Sequence, residues 1–230
     1  MNATNITERS IHREVSIPLG DAELAGTLTI PEDACGIVLF VHGSGSSRHS
    51  PRNRFVAGVL QSAGIATLLF DLLTRAEEVL DTRTAELRFD IELLMQRLVG
   101  ATDWILGRTD VGNLPIGYFG ASTGAAAALS AAARLGKSIA AVVSRGGRPD
   151  LAGPSLGQVT AATLLIVGGA DRVVLDLNGL ALARLRCPNK KLVLIPGATH
   201  LFEEPGALEQ VARTASSWFE RYLARRTRTE

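Results

Sequence analysis

The sequence predicts an α/β fold: a doubly wound, mostly parallel sheet with an N-terminal antiparallel hairpin and no cap domain. Three observations predict it. Short apolar runs recur along the chain, as strands buried on both faces require. Helical stretches with apolar residues three and four apart separate those runs, and strand–helix alternation argues for right-handed parallel crossovers. Only the first two extended segments alternate apolar with polar or small residues, the mark of a sheet with one solvated face.

The elements follow in order. Glu14–Ile17 and Leu24–Ile30 flank the turn Gly20-Asp21 and read as the hairpin, closed by Pro31. Gly36–Val41 is the first continuous apolar run. Residues 51–63 read as a helix, with Ser50 as N-cap, proline at the first position and Gly64 at the end. Ala66–Phe70 is the next strand, and residues 71–83 are expected to be a loop on the rim of a site. Leu87, Ile91, Leu94, Leu98, Ala101 and Ile105 trace one face of a long helix. Strands are then expected at Ile116–Phe119, Ile139–Val143, Thr163–Val167 and Lys190–Ile195, and a last helix over residues 207–224. The short connection from Ser144 to Ala161 leaves no room for a cap, so an open, shallow site is expected. Residues 1–10 are expected to be disordered, 11–225 to form one domain, and 226–230 to be a tail.

Composition narrows the function classes. A net charge of +1, with 20% charged and 46% hydrophobic residues, carries no nucleic-acid footprint. The cluster Arg225–Arg228 reads as a solvated helix end. Cys35 and Cys187 make no disulfide framework, and no Cys/His cluster has metal-ligand spacing, so neither metal nor cofactor is expected. The first residues lack an apolar core like that of a secretory signal, and no run approaches a membrane span. The expectation is a cytoplasmic protein, monomer or homodimer, without nucleic-acid or membrane partners.

The chemistry centres on Gly120-Ala-Ser122-Thr-Gly124, entered by an apolar strand and left by the helix-forming Ala125–Leu129. That context reads as a nucleophile elbow like that of α/β-hydrolases, which holds a serine hydroxyl above the sheet edge. With 23 glycines in the chain, the bare pattern arises by chance in roughly one such chain in seven, so context must decide. Gly153-Pro-Ser155-Leu-Gly157 repeats the pattern without strand or helix and reads as a loop.

A serine hydroxyl needs a base, and the base a carboxylate, in the chain order serine, acid, histidine. Asp171 follows the strand Thr163–Val167, and His200, the only histidine after Ser122, follows the strand Lys190–Ile195. Both stand at the carboxyl ends of parallel strands, where sites form. Asp150 and Asp176 are the competing acids. The oxyanion donors are read as the amide of Thr123 and that of Ser44 in His42-Gly-Ser-Gly-Ser46, with Gly45 as the off-by-one alternative. His42 precedes the nucleophile and reads as a loop brace. Arg145 and Arg148, after a central strand, are read either as pocket-lining groups for a substrate carboxylate or as partners of Asp150.

Two rival motifs fail. Gly43-Ser-Gly45-Ser-Ser-Arg48 has arginine at the third glycine of a dinucleotide loop, and Gly136-Lys-Ser138 closes a helix instead of opening one.

Together, His42–Arg48 with Pro51–Arg54, Phe70–Thr74, Gly117–Gly124, Ser144–Asp150 and Ala198–Pro205 resemble the dienelactone hydrolase-like family of α/β-hydrolases. The resemblance implies a single-domain hydrolase with a triad at Ser122, Asp171 and His200. The enzyme that names the family uses a cysteine nucleophile; this chain has serine, which points to small carboxylic esters or lactones in general. Two alternatives remain at this stage. The same triad could serve acyl transfer or peptide or C–C cleavage, and the fold could belong to a non-catalytic binding protein.

Overall fold

The computed structural model describes residues 10–224. Most of the expected disordered segment, the C-terminal tail and the cluster Arg225–Arg228 lie outside the described residues. Strands β1 (Ile11–Leu19) and β2 (Ala22–Ile30) form an antiparallel hairpin, in register from Ile11↔Ile30 to Leu19↔Ala22. The remaining strands are β3 (Gly36–Val41), β4 (Ile65–Phe70), β5 (Ile116–Ala121), β6 (Ile139–Arg145), β7 (Ala162–Gly168) and β8 (Lys190–Ile195). Their order in the eight-stranded sheet is β1-β2-β4-β3-β5-β6-β7-β8. β2 meets β4 antiparallel, and every pairing from β4 through β8 is parallel. All six residues of β3, β4 and β5 are buried, which is why these segments read as continuous apolar runs.

Helices cover both faces. On one side, α1 (Pro51–Ser62) and α6 (Ala207–Leu223) bury Val56, Leu60, Val211 and Phe219 against Val38, Phe40 and Phe119. On the other, α3 (Ile91–Leu106) and α4 (Thr123–Leu135) bury Leu94, Leu98 and Leu129 against Leu39, Tyr118 and Val142. The helix α5 (Arg172–Arg184) joins β7 to β8. Among the described residues no cap domain interrupts the sheet.

Two expectations need correction. The segment expected as a rim loop forms a helix, α2 (Arg75–Thr84), opened by a capping box in which Thr74 and Glu77 exchange side chain-to-backbone hydrogen bonds. The long helix starts later than Leu87: Leu87–Phe89 is a separate 3-10 turn, and Asp90 caps α3 by accepting from the Leu93 amide at 3.0 Å. Gly153–Gly157, the repeat of the elbow pattern, lies in the 3-10 segment Pro149–Gln158 with no strand leading into it.

The order of the strands places the carboxyl ends of β3 and β5 side by side at the centre of the sheet. There α4 packs close enough that a Cβ on Gly124 would lie 2.3 Å from the carbonyl oxygen of Val41 and 2.5 Å from that of His42. Neither atom can move without breaking the sheet edge. Gly124→Ala is therefore expected to cost about 3 kcal/mol of stability, read as a lower urea midpoint.

Candidate active site

Ser122 sits between β5 and α4 at φ 50° and ψ −123°, a conformation that costs a non-glycine residue on the order of 1–3 kcal/mol. Backbone hydrogen bonds hold it there. Its N–H donates to the Arg145 carbonyl at 3.2 Å, and its own carbonyl accepts from Ala125 at 3.1 Å and Arg148 at 3.0 Å. Gly43 packs flush against the serine, since a Cβ there would stand 2.9 Å from the Ser122 Cβ. The loop after β3 thus reaches the nucleophile side of the elbow.

The loops after β7 and β8 are stitched together. Gly169 N–H donates to Ile195 O and Ala170 N–H to Ala198 O, both at 2.9 Å. This brings Asp171 to His200, whose Nδ1 lies 2.7 Å from the Asp171 Oδ2. Asp171 occupies the N-cap position of α5, yet its side chain makes no capping bond and is turned to the histidine instead. The His200 loop is braced by Glu204, which accepts from the Thr199 amide and hydroxyl at 3.0 and 2.6 Å. The Ser122 hydroxyl carries no hydrogen bond among the described residues, and contacts of this kind commonly tighten only when substrate binds. Neither competing acid approaches His200: Asp150 is gripped by Arg148, and Asp176 lies within α5.

Ser44 and Thr123 also meet. The Ser44 amide donates to Thr123 Oγ1 at 3.0 Å, and the two hydroxyl oxygens are 3.0 Å apart. The Ser44 hydroxyl reaches on to the Arg88 carbonyl at 3.4 Å. One amide read as an oxyanion donor is thus already engaged by the residue that supplies the other. Gly45 adopts φ 65° and lines, with Ser44, a cavity of about 370 Å³ roofed by α2 and the turn after it. The expected open, shallow site has this deeper recess beside it.

The roof depends on residues that sequence reasoning does not single out. Buried Asp81 accepts from the Arg88 amide at 3.0 Å and its Nε at 2.6 Å, while Arg88 Nη2 donates to the Asp81 carbonyl at 2.7 Å. Burial works to raise the Asp81 pKa, but these hydrogen bonds outweigh it and leave the carboxyl below its ordinary value. Arg48, in the loop after β3, pairs with Asp71 after β4 and donates its amide to the same carboxylate at 2.8 Å. A capping-box reading of Thr74-Arg-Ala-Glu77 is the signal that finds the roof helix. Nothing in the sequence announces the Asp81–Arg88 pairing.

His42 joins the same two loops. Its Nε2 accepts from the Leu72 amide at 3.1 Å and its Nδ1 faces the Gly43 carbonyl at 3.0 Å. That pattern requires the neutral ring protonated on Nδ1. Burial lowers its pKa, against the raising effect of the Gly43 carbonyl, Asp71 and Glu78. The unfolded histidine takes up a proton near about 6.5, above the folded value. Between the two values the unfolded state binds more protons, so stability is full above about pH 6.5 and falls as the pH drops below it. A urea midpoint lower at about pH 5.5 than at about pH 7.5, with a smaller difference in His42→Gln, is the expected result.

Of the two arginines, Arg148 is spent on Asp150, through Nε at 2.9 Å and Nη2 at 2.8 Å. Arg145 is only 8% exposed and makes no such pair. Among the described residues, no group of three or more His, Cys, Asp and Glu side chains is placed to hold a metal ion, and no helix is long and apolar enough to cross a membrane.

The crystal structure of dienelactone hydrolase from Anabaena variabilis superposes with a TM-score of 0.91 and 59% identity, covering 94% of this chain and 99% of that one. The chain belongs to the dienelactone hydrolase-like family of α/β-hydrolases. More distant members of the fold include Est1E from Butyrivibrio proteoclasticus, with a TM-score of 0.77 at 17% identity over 92% of this chain and 99% of that one. At that identity the likeness shows the fold alone. Two Mycobacterium tuberculosis proteins, from strains CDC 1551 and H37Rv, are each 61% identical over 207 residues, 90% of this chain and 45% of their own length. Both bear the name "Putative phosphoribosyl transferase", and this dienelactone hydrolase-like chain spans about half the length of these curated relatives. No family model matches the chain.

Proposed function

We propose that this protein is a serine hydrolase that cleaves small carboxylic esters or lactones through an acyl-enzyme. The observation that carries the reading is the 2.7 Å Asp171–His200 bond at the sheet edge that also holds Ser122 in its strained turn. Ser122 Oγ attacks the carbonyl carbon while its proton passes to His200 Nε2. Asp171 keeps the other ring proton on Nδ1 and stabilises the imidazolium that forms. The carbonyl oxygen, now an anion, takes the place of the Thr123 hydroxyl as acceptor of the Ser44 amide and also receives the Thr123 N–H. Each such donor lowers the barrier by roughly 3–4 kcal/mol. His200 returns the proton to the leaving alkoxide. It then takes a proton from water, which attacks the acyl carbon, and passes that proton to Ser122 Oγ as the acyl–oxygen bond breaks and the acid leaves.

Gly45 and the cavity beneath α2 are assigned to one arm of the substrate. Arg148 is assigned to its pairing with Asp150, which leaves Arg145 as the arginine free to meet a ligand. We attribute the transferase name of the longer relatives to the half that this chain does not span, because the half it does span is the sheet and elbow described above.

The test is a hydrolysis panel of aryl esters of rising acyl length together with lactones, run beside Ser122→Ala. Turnover confined to the protein with Ser122 supports the reading. Turnover equal in the two proteins on every substrate ends it.

A further inference from the structure

The roof helix α2 is amphipathic in the reversed sense. A surface helix ordinarily turns its apolar stripe inward and its polar face to water. Here Glu78, Asp81 and Thr82 share the helical face that lines the cavity of about 370 Å³, while Val79 and Leu80 are 56% and 53% exposed. The clasp to Arg88 accounts for Asp81. It does not account for Glu78.

Most polar groups around the cavity are already engaged. Asp71 is held by the amide and guanidinium of Arg48, and both carboxylate oxygens of Asp81 are held by Arg88. Thr82 Oγ1 donates to the Val79 carbonyl at 2.7 Å, and both ring nitrogens of His42 are bonded. Three groups are left over. The Glu78 carboxylate and the Ser46 hydroxyl line the cavity with no side-chain hydrogen bond or ion pair among the described residues. Arg88 spends Nε and Nη2 on Asp81 and keeps Nη1, which a Cβ on Gly45 would meet at 3.6 Å. Glu78 and Arg88 thus face one cavity with opposite charges and no bond between them.

This balance selects among substrate arms. Arg48 neutralises Asp71 and Arg88 neutralises Asp81, so the net charge facing an arm is that of Glu78. A carboxylate or phosphate meets that charge with no unpaired cation beside it. An ammonium group pairs with Glu78 but sets its own charge against the Nη1 donors. An alkyl arm takes water from Glu78, Ser46 and Nη1 and returns no hydrogen bond. Hydroxyl groups donate to Glu78 and accept from Nη1, and the ionised partner makes each bond stronger than a neutral one. Leu72, Leu73 and Leu94 supply an apolar wall for the C–H edges of such an arm. The recess adjoins the nucleophile, because Gly43 lines it and a Cβ there would stand 2.9 Å from the Ser122 Cβ.

We propose that the cavity beneath α2 takes an uncharged, hydroxyl-rich arm of the substrate, a polyol or sugar, with Glu78 as the acceptor that selects it. Arg88 Nη1 is the matching donor, and Ser46 serves as either. The substrate class rests on the hydrolase reading; the binding preference of the cavity does not.

The experiment has two arms on the full chain. In the first, kcat/KM is compared for esters of equal chain length that carry an alkyl, dihydroxyalkyl, carboxyalkyl or trimethylammonioalkyl group. The set is made twice, with the variation on the acyl side and on the alcohol side. Wild type is expected to favour the dihydroxyalkyl ester over the alkyl ester at least tenfold on one side, mainly through KM. That ratio should fall at least tenfold in Glu78→Leu and less in Glu78→Gln. A merely structural role of Glu78 lowers both rates together and leaves the ratio where it was. In the second arm, calorimetry follows the dihydroxyalkyl and alkyl esters binding to Ser122→Ala and to Ser122→Ala with Glu78→Leu. The hydroxylated ester is expected to bind at least tenfold more tightly, and the advantage to vanish with Glu78.

Equal treatment of the two esters in both arms would overturn the proposal. So would a preference for either charged ester, or a hydroxyl preference that survives Glu78→Leu. Should Glu78→Leu not fold, Glu78→Ala decides by the same readouts. If no ester is turned over by any protein, the hydrolase reading fails and the binding arm still decides the chemistry of the cavity.

Discussion

Replacing Ser122 by alanine is expected to lower ester turnover by a factor on the order of 10⁴–10⁶. The size follows from what is lost. On the proposed mechanism the elbow, the Asp171–His200 pair and the proposed oxyanion amides all persist, but no covalent intermediate can form, and a residual rate comes only from binding and the amide donors. Alanine fits the site: the Ser122 Cβ already stands against Gly43, and removing the hydroxyl adds no atom to that contact. Folding should therefore be intact, with Tm close to wild type. The complementary measurement is labelling by a fluorophosphonate, which should add one adduct to wild type at Ser122 and none to Ser122→Ala. Labelling at Ser155 instead would sink the assignment, as would esterase activity retained in Ser122→Ala.

How much of this was legible beforehand depends on whether each feature is local. Five of the six parallel strands, β3 to β7, are readable because burial on both faces demands unbroken apolar runs such as Gly36–Val41; β8, at the sheet edge and largely exposed, is readable from its run Leu192–Ile195, and strand boundaries shift by only a few residues in the structure. The elbow is readable because strand, turn and helix are contiguous. The order of Ser122, Asp171 and His200 is readable because parallel strands place all their carboxyl ends on one edge.

What was not legible required contacts between distant segments, or a helix without an apolar stripe. α2 buries only Asp81, and its Val79 and Leu80 are exposed, so periodicity could not mark it; only the capping box at Thr74 could. The break before α3 follows from Asp90 capping the Leu93 amide, a choice invisible against the continuing apolar spacing of Leu87 and Ile91. The engagement of the Ser44 amide by Thr123 Oγ1 joins residues 79 apart in the chain. The solitude of Arg145 is a property of the folded face alone. Its sequence neighbour Asp150 offered a partner, and the fold gave that partner to Arg148.

Changing Asp171 to asparagine is expected to reduce kcat by about 10⁴-fold while leaving the fold in place. Two roles compete for this carboxylate. As the N-cap residue of α5, it could matter for the helix; as the partner of His200 Nδ1, it could matter for the proton. Asparagine caps a helix as well as aspartate does, so a capping role predicts near-normal activity. The side chain, however, makes no capping bond and stands 2.7 Å from the imidazole. The loops that carry the pair are held by backbone bonds from Gly169 and Ala170, which the substitution does not touch. An amide can turn either its oxygen or its NH₂ toward Nδ1. With the NH₂ there, the ring keeps its proton on Nε2 and has no lone pair to receive the Ser122 proton. With the oxygen there, the tautomer is right but the imidazolium has no anion beside it. Both outcomes depress kcat, and KM should move little, because neither changes the cavity beneath α2. Activity within tenfold of wild type in Asp171→Asn would remove Asp171 from the triad and leave His200 without an orienting acid.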